Sequence, residues 1–309
     1  MALLFISGQD RIDEWQDYLK REIPDLDLRM LSDYGNIEDI EYALVWQPPK
    51  GLLRSLPNLK VIFSLGAGID HLASDPELPD NVPIVRMVDP SLTSGMTEYV
   101  VMSVLNHHKS MRLYREQQIR KEWTPHVPPV TWDRRVGIMG MGVLGSDAAG
   151  KLSSLGFDVA GWSRTHRERP GIKTYAGTEQ LDNFLSETEI LVCLLPLTDE
   201  TSDVLNKDLF AKLPKGASVI NAARGGHLVE EDLIAALNSD HLSEATLDVF
   251  KSEPLDQDHP FWDHPKITIT PHAASFTHPS SSVRLIAEGI RRFENDEELL
   301  NVVDMKRGY

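Results

Sequence analysis

Three short polar segments hold residue types able to anchor an acid and move a proton. They are 221–226, with Arg224; 248–254, with Asp248 and Glu253; and 270–274, with His272. Arginine presents a planar, permanently charged fork that matches a carboxylate. Histidine changes charge near neutrality, and a carboxylate on one ring nitrogen orients it for proton transfer through the other. Arg224, Glu253 and His272 thus offer a carboxylate anchor, a partner carboxylate and a proton donor. Each segment follows a short apolar run (218–221, 245–248 and 267–270) that reads as a β-strand. In an open parallel sheet ligands bind outside the carboxyl ends of strands, so all three segments are expected at one crevice.

A second constellation supplies a cofactor loop. The apolar run 136–139 leads into Gly140, Gly142 and Gly145 in the pattern G-x-G-x-x-G, followed by a helical face of Leu144, Ala148, Leu152 and Leu155 that Gly156 ends. Strand, glycine loop and helix together predict a dinucleotide site, with the pyrophosphate at the helix N-terminus. The next strand, 158–162, runs into Ser163, Arg164 and Thr165, beginning eighteen positions past Gly145. An acid there would hold a ribose 2′-hydroxyl and select NAD. Two hydroxyls and a guanidinium, with Arg167 close by, suit a 2′-phosphate instead. NADP(H) is the expected cofactor, with NAD(H) still open.

These residues need elements to position them. Runs 3–7, 42–46, 61–65 and 84–86 read as strands and 13–21 as a helix. Residues 97–122 read as one long helical stretch ahead of a proline-bearing loop at 124–129. A second α/β series follows, with strands at 136–139, 158–162, 190–195, 218–221, 245–248 and 267–270. Helices are expected at 144–155, 178–185, 230–238 and, last, near 283–294. The alternation predicts an α/β fold of two Rossmann-like or flavodoxin-like parallel-sheet domains, the cofactor domain inserted into the substrate domain. The expected divisions are 1–97 for the first part of the substrate domain, 98–278 for the dinucleotide-binding domain, and 279–309 for the return.

Composition narrows the partners. The 309 residues carry 31 Lys and Arg against 47 Asp and Glu, a formal charge of −16. Such a surface repels phosphate backbones and anionic lipid, so neither nucleic acid nor membrane is an expected partner. The single Cys193 excludes an intramolecular disulfide and reads as a buried thiol rather than a nucleophile. It also removes the ligands of a zinc alcohol dehydrogenase, and no Tyr has the Lys four positions later that short-chain reductases use. No apolar run reaches a membrane span, and residues 1–7 lack the basic flank of a signal peptide, so a cytoplasmic protein is expected. No metal is expected. His107 and His108 read as solvent or interface residues and His259 and His264 as part of a proline-rich surface loop. Met111, Tyr114 and Trp123 read as core or dimer surface.

Taken together, these motifs resemble the D-isomer-specific 2-hydroxyacid dehydrogenases over essentially the whole chain. The family marks are Gly140 to Gly145, 221–226 with Val229-Glu230-Glu231, 247–250 with Glu253-Pro254-Leu255, and Pro271-His272. Gly226 and His227 stand where the motif is variable. Within the family, 43–49, 65–70, 162–165 and the ending Arg307-Gly308-Tyr309 are similar to the bacterial reductases of glyoxylate and hydroxypyruvate. The resemblance implies NADPH-dependent reduction of small 2-oxo acids to 2-hydroxy acids. It implies Arg224, Glu253 and His272 as the catalytic set, Asp248 as a nicotinamide-side contact, and a homodimer through the cofactor domain. The expected cofactor contacts are Gly140, Gly142, Val143, Leu144, Gly145, Ser163, Arg164, Thr165, Leu195, Pro196, Ala222, Ala223, Arg224, Asp248 and His272. The substrate would meet Arg224 and the backbone N–H groups of Ala67 and Gly68. Trp46 either walls the pocket or packs in the core. A phosphoglycerate, formate or phosphite dehydrogenase, or a non-catalytic NAD(P) sensor on the same fold, remains an alternative.

Overall fold

Strands buried on both faces dictate the architecture. The computed structural model, which describes residues 1–8 and 12–305, divides the chain into two compact units, Met1–Leu92 with the residues from Phe276 onward, and Thr93–Ser275. The divisions drawn from the sequence fall after 97 and 278. The chain ending at Arg307-Gly308-Tyr309 lies outside the described residues.

In the first unit, β1 (Ala2–Ile6), α1 (Ile12–Glu22), β2 (Asp27–Met30), β3 (Ile40–Val45), β4 (Val61–Ser64), α2 (Asp70–Ala73) and β5 (Ile84–Val85) follow in order. The sheet runs β2-β1-β3-β4-β5 with every pairing parallel, the flavodoxin-like order. The period of two splits each strand between two cores: Leu3, Phe5, Tyr42 and Leu44 on one face, Leu4, Ile6, Ala43 and Val45 on the other.

The second unit takes in most of α3 (Pro90–His108), then α4 (Met111–Arg120), β6 (Arg135–Met139), α5 (Val143–Ser154), β7 (Asp158–Ser163), β8 (Lys173–Ala176) and α6 (Leu181–Ser186). After these come β9 (Ile190–Cys193), α7 (Lys207–Phe210), β10 (Ala217–Asn221), α8 (Glu230–Asn238), β11 (Leu242–Leu247) and β12 (Ile267–Ile269). The seven strands run β12-β11-β10-β9-β6-β7-β8, all parallel. Strand order reverses between β6 and β9, which is where a doubly wound sheet opens its ligand crevice. Finally α9 (Pro279–Glu294) returns to the first unit, where Val283, Ile286 and Ile290 join the core of Trp15 and Leu19 from α1.

Two expectations need correction. The helical stretch at 97–122 is two helices, because Ser110 (φ 56°, ψ 38°) takes a left-handed backbone between them. Glycine usually fills such a position, and its absence hides the break. His107 and His108 are buried rather than on solvent. His107 places Nδ1 2.9 Å from Glu244 Oε1 and Nε2 2.9 Å from Thr246 Oγ1, while His108 packs edge-on against Phe157. Burial, with Lys109 and Arg134 nearby, holds the His108 imidazole below its ordinary pKa. Two strands, β2 and β8, and the single-turn α2 and α7 have no counterpart in the sequence expectations.

Candidate active site

The glycine loop joins β6 to α5 at the strand reversal. Gly140 has φ +104°, and a Cβ there would lie 2.5 Å from the Leu194 carbonyl oxygen. A Cβ on Gly145 would come 1.9 Å from the Gly140 oxygen, so helix and strand approach only because both positions lack side chains. Around Gly142, by contrast, a Cβ would meet nothing within 4 Å. Gly142 is the N-cap of α5 and supplies no side-chain cap, while its neighbour Val143 is exposed. Open space at uncapped helix amides is a cradle that fits a pyrophosphate. Leu144 is half-buried and Gly145 buried on the helix side of the same loop.

The ends of the flanking strands carry the other residues expected at the cofactor. At the end of β7, Ser163 Oγ donates to the Thr165 carbonyl at 2.8 Å, and Arg164 pairs with Glu200 at 3.1 Å, both charges largely in solvent. After β9, Leu195 is buried, and the Pro196 carbonyl accepts from Thr201 Oγ1 at 2.7 Å. After β10, Ala222 and Ala223 are buried, and the Arg224 guanidinium donates to the Ala223 carbonyl at 2.7 Å.

Asp248 organises the segment that bears His272. This carboxylate is 1% exposed. Its Oδ1 accepts from Thr270 Oγ1 at 2.5 Å and from the Ala273 amide at 2.8 Å; its Oδ2 accepts from the Ala274 amide at 2.9 Å. Burial pushes the Asp248 carboxyl up, against the pull of Thr270 and the two amides. Since the Thr270 proton goes to Asp248, the 2.7 Å contact between Thr270 Oγ1 and Tyr99 must be donated by the tyrosine. Tyr99 from α3 therefore begins a one-way chain of donors ending on Asp248, and burial pushes its phenol up to about 12. Three of the four carboxylate lone-pair sites are filled, and Oδ2 keeps room for one further donor.

His272 itself holds a left-handed backbone, φ 51°, pinned by its amide to the Asp248 carbonyl at 2.7 Å. Its Nδ1 lies 2.7 Å from Glu253 Oε2, and Glu253 Oε1 accepts the Phe250 amide at 2.9 Å. Burial opposes ionisation of Glu253, but the bonds from His272 and Phe250 and the charge of Arg224 outweigh it and hold the carboxyl below its usual range. The imidazole side chain stays 29% exposed. The structure thus brings Glu253 and His272 together, with Asp248 holding the turn beneath them.

Trp46, Ala67 and Gly68 belong to the first unit. Trp46 follows β3, half-buried against the core, its ring 4.4 Å from His71. A Cβ on Gly66 would lie 2.5 Å from its Cζ3. Ala67 and Gly68 sit in the turn after β4, which Ser64 Oγ ties by accepting the Gly66 amide at 3.2 Å and donating to its carbonyl at 3.1 Å. Cys193 is fully buried in β9, its thiol pushed up to about 12 by burial. His259 and His264 are tied back to α8, at 3.2 Å from Glu230 and 3.3 Å from Asn238. Among the described residues no His, Cys, Asp and Glu group is arranged to hold a metal, and no helix is long and apolar enough to cross a membrane. The residues that sequence reasoning missed are Tyr99, Thr270 and His227. His227 alone carried a signal, a histidine three positions past Arg224.

Fold and site define a dehydrogenase class. Residues 101–274 match the family model described as D-isomer specific 2-hydroxyacid dehydrogenase, NAD binding domain, and the chain belongs to that family. It is 40% identical to glyoxylate/hydroxypyruvate reductase A of Yersinia enterocolitica, with all of both chains covered. A crystal structure from Xanthobacter autotrophicus Py2, a family member in complex with NADPH and MES, superposes with a TM-score of 0.96 at 42% identity, covering 100% of this chain and 99% of that one. The NADPH-dependent glyoxylate/hydroxypyruvate reductase of Sinorhizobium meliloti, in complex with NADP and sulfate, superposes at 0.94 with 40% identity and full coverage of both.

Proposed function

We propose that the protein reduces small 2-oxo acids, glyoxylate and hydroxypyruvate among them, to the 2-hydroxy acids glycolate and D-glycerate, using NADPH. The observation that carries this reading is the 2.7 Å His272–Glu253 pair at the strand ends of the glycine-loop sheet. The relatives named as glyoxylate/hydroxypyruvate reductases support the substrate class.

NADPH supplies the hydride that goes to the carbonyl carbon. Protonated His272 gives its Nε2 proton to the oxygen as charge develops there, while Glu253 fixes the ring through Nδ1. Arg224 holds the substrate carboxylate and polarises the carbonyl, and the N–H groups of Ala67 and Gly68 bind the acid. Trp46 favours short substrates. Gly140, Gly142, Val143, Leu144 and Gly145 receive the pyrophosphate, Ser163, Arg164 and Thr165 the 2′-phosphate, and Leu195, Pro196, Ala222 and Ala223 line the nicotinamide end. Asp248, with acceptor room left on Oδ2, would be a contact on the nicotinamide side. The cytoplasm is the proposed location. A homodimer through the cofactor unit would cover Ile119, Trp123, Val127 and Trp132, which are between 69% and 99% exposed in the isolated chain.

The test is NADPH oxidation followed by absorbance with glyoxylate, hydroxypyruvate and longer 2-oxo acids, with NADH in parallel. Turnover of the two short acids with NADPH is expected. NADPH binding without turnover of any 2-oxo acid overturns the reading in favour of a sensor.

A further inference from the structure

His227 is fully buried three positions past Arg224 and outside the roles given above. Its ring reaches two backbones at once: Nδ1 lies 3.2 Å from the Arg224 amide nitrogen, and Nε2 lies 3.3 Å from the Pro196 carbonyl oxygen. Lone-pair counting places the ring proton. Nδ1 is also 3.0 Å from the Arg224 carbonyl oxygen, but that oxygen already accepts Asn221 Nδ2 at 3.0 Å and the His227 amide at 3.2 Å. With both of its acceptor sites taken, Nδ1 is the acceptor for the Arg224 N–H, and the proton sits on Nε2, pointed at Pro196.

We propose that neutral His227 is a positioning residue for Arg224, clamping the loop after β10 to the loop after β9 so that the guanidinium leaves the backbone in one fixed direction. Arg224 is extended (φ −145°, ψ 149°) at the start of the short turn Gly225–His227. Its backbone is held at nitrogen by His227, at oxygen by Asn221, and its side chain by the Ala223 carbonyl. A bidentate fork works only when both of its nitrogens are aimed, and misplacing a binding group by about 1 Å costs on the order of a hundredfold. Water cannot replace the bond, because the imidazole is buried. The loop's own backbone bonds, Leu205 N–H to the His227 carbonyl at 2.8 Å and Asp203 N–H to that of Gly226 at 2.9 Å, do not involve the ring. Thr201 also holds Pro196 independently. These contacts remain available when the ring is substituted.

The inference rests on Arg224 as the substrate anchor, and a double-mutant cycle separates the two. His227→Leu removes both ring bonds; His227→Asn keeps an acceptor near the Nδ1 position. For His227→Leu we expect kcat/KM for glyoxylate to fall at least about tenfold, chiefly through KM, with the NADPH Kd within about threefold of wild type. His227→Asn should recover most of that loss. In an Arg224→Lys background, His227→Leu should cost less than about threefold further. Wild-type kinetics in His227→Leu, an Asn variant as poor as the Leu variant, or an undiminished penalty in the Arg224→Lys background each overturn the proposal. Wild-type kinetics in Arg224→Lys alone overturn the anchor reading, and this inference with it. Should His227→Leu fail to fold, the Asn variant in both backgrounds decides: it must stay near its parent in each.

Discussion

Nδ1 of His272 and Oε2 of Glu253 lie 2.7 Å apart, each residue fixed again by backbone: Glu253 by the Phe250 amide, His272 by the Asp248 carbonyl. The imidazole therefore has a defined orientation before substrate arrives. As the proposed proton donor, His272→Ala should lower kcat by about two to four decades while NADPH binding is kept. Steady-state kinetics with a fluorescence titration of NADPH checks both halves; a near-normal kcat removes His272 from the role. Arg224→Lys should be nearly as damaging, since a point charge cannot replace a fork.

The same pair sets a pH dependence. Proton donation by the imidazole needs Glu253 as a carboxylate on Nδ1, so kcat/KM should hold as pH is lowered until Glu253 protonates in its depressed range, and Glu253→Gln should lack that acid limb. Stability carries the same sign. Glu253 ionises more readily folded than unfolded, so its contribution is full above the ordinary carboxylate range and fades as pH drops through its depressed value. The Tm gap between wild type and Glu253→Gln should accordingly close below about pH 4. A profile and a gap that ignore the substitution would sink the pairing.

Cofactor choice is tested at Ser163 and Arg164. Ser163→Asp places a carboxylate where the 2′-phosphate is proposed and offers the ribose hydroxyls an acceptor, so KM should rise for NADPH and fall for NADH. Arg164, which rests on Glu200 at 3.1 Å, must exchange that partner for the phosphate. Arg164→Ala should then weaken NADPH alone, and equal losses for both cofactors would refute the assignment.

The donor chain from Tyr99 predicts an effect at a distance. Thr270→Val strips one donor from a carboxylate that burial already pushes toward protonation. NADPH affinity should fall about fivefold to tenfold, and the deficit should widen as pH is lowered. Tyr99→Phe should show the same trend more weakly. Calorimetric titrations at two pH values give the comparison; a deficit independent of pH refutes the link.

Much of this was visible in the residues alone, for identifiable reasons. The glycine loop is local, so its spacing carries strand, turn and helix together, and the strand-end segments of Arg224, Glu253 and His272 follow apolar runs long enough to recognise. The two missed strands are both sheet edges. Asp27–Met30 and Lys173–Ala176 are largely half-buried or exposed, and neither presents the apolar run of an inner strand. The helix break at Ser110 lacks a glycine, and His107 and His108 look polar until Thr246, Glu244 and Phe157 surround them. The Tyr99–Thr270 bond joins positions 171 apart, and each hydroxyl is ordinary on its own. Long-range polar pairing has no periodicity for a sequence to display.

Trp46 and Gly66 behave as one position written in two places. With the indole edge 2.5 Å from where a Cβ would stand, any side chain at 66 must evict the tryptophan from its seat. Gly66→Ala is thus a rotamer mutation of Trp46 in all but name, and the effects of substitutions at the two positions on stability should be strongly non-additive. With Trp46 as the proposed pocket wall, randomising it while leaving Gly66 untouched explores only the shapes that lie flat on a bare backbone, and varying the pair jointly is the way to test wider acids.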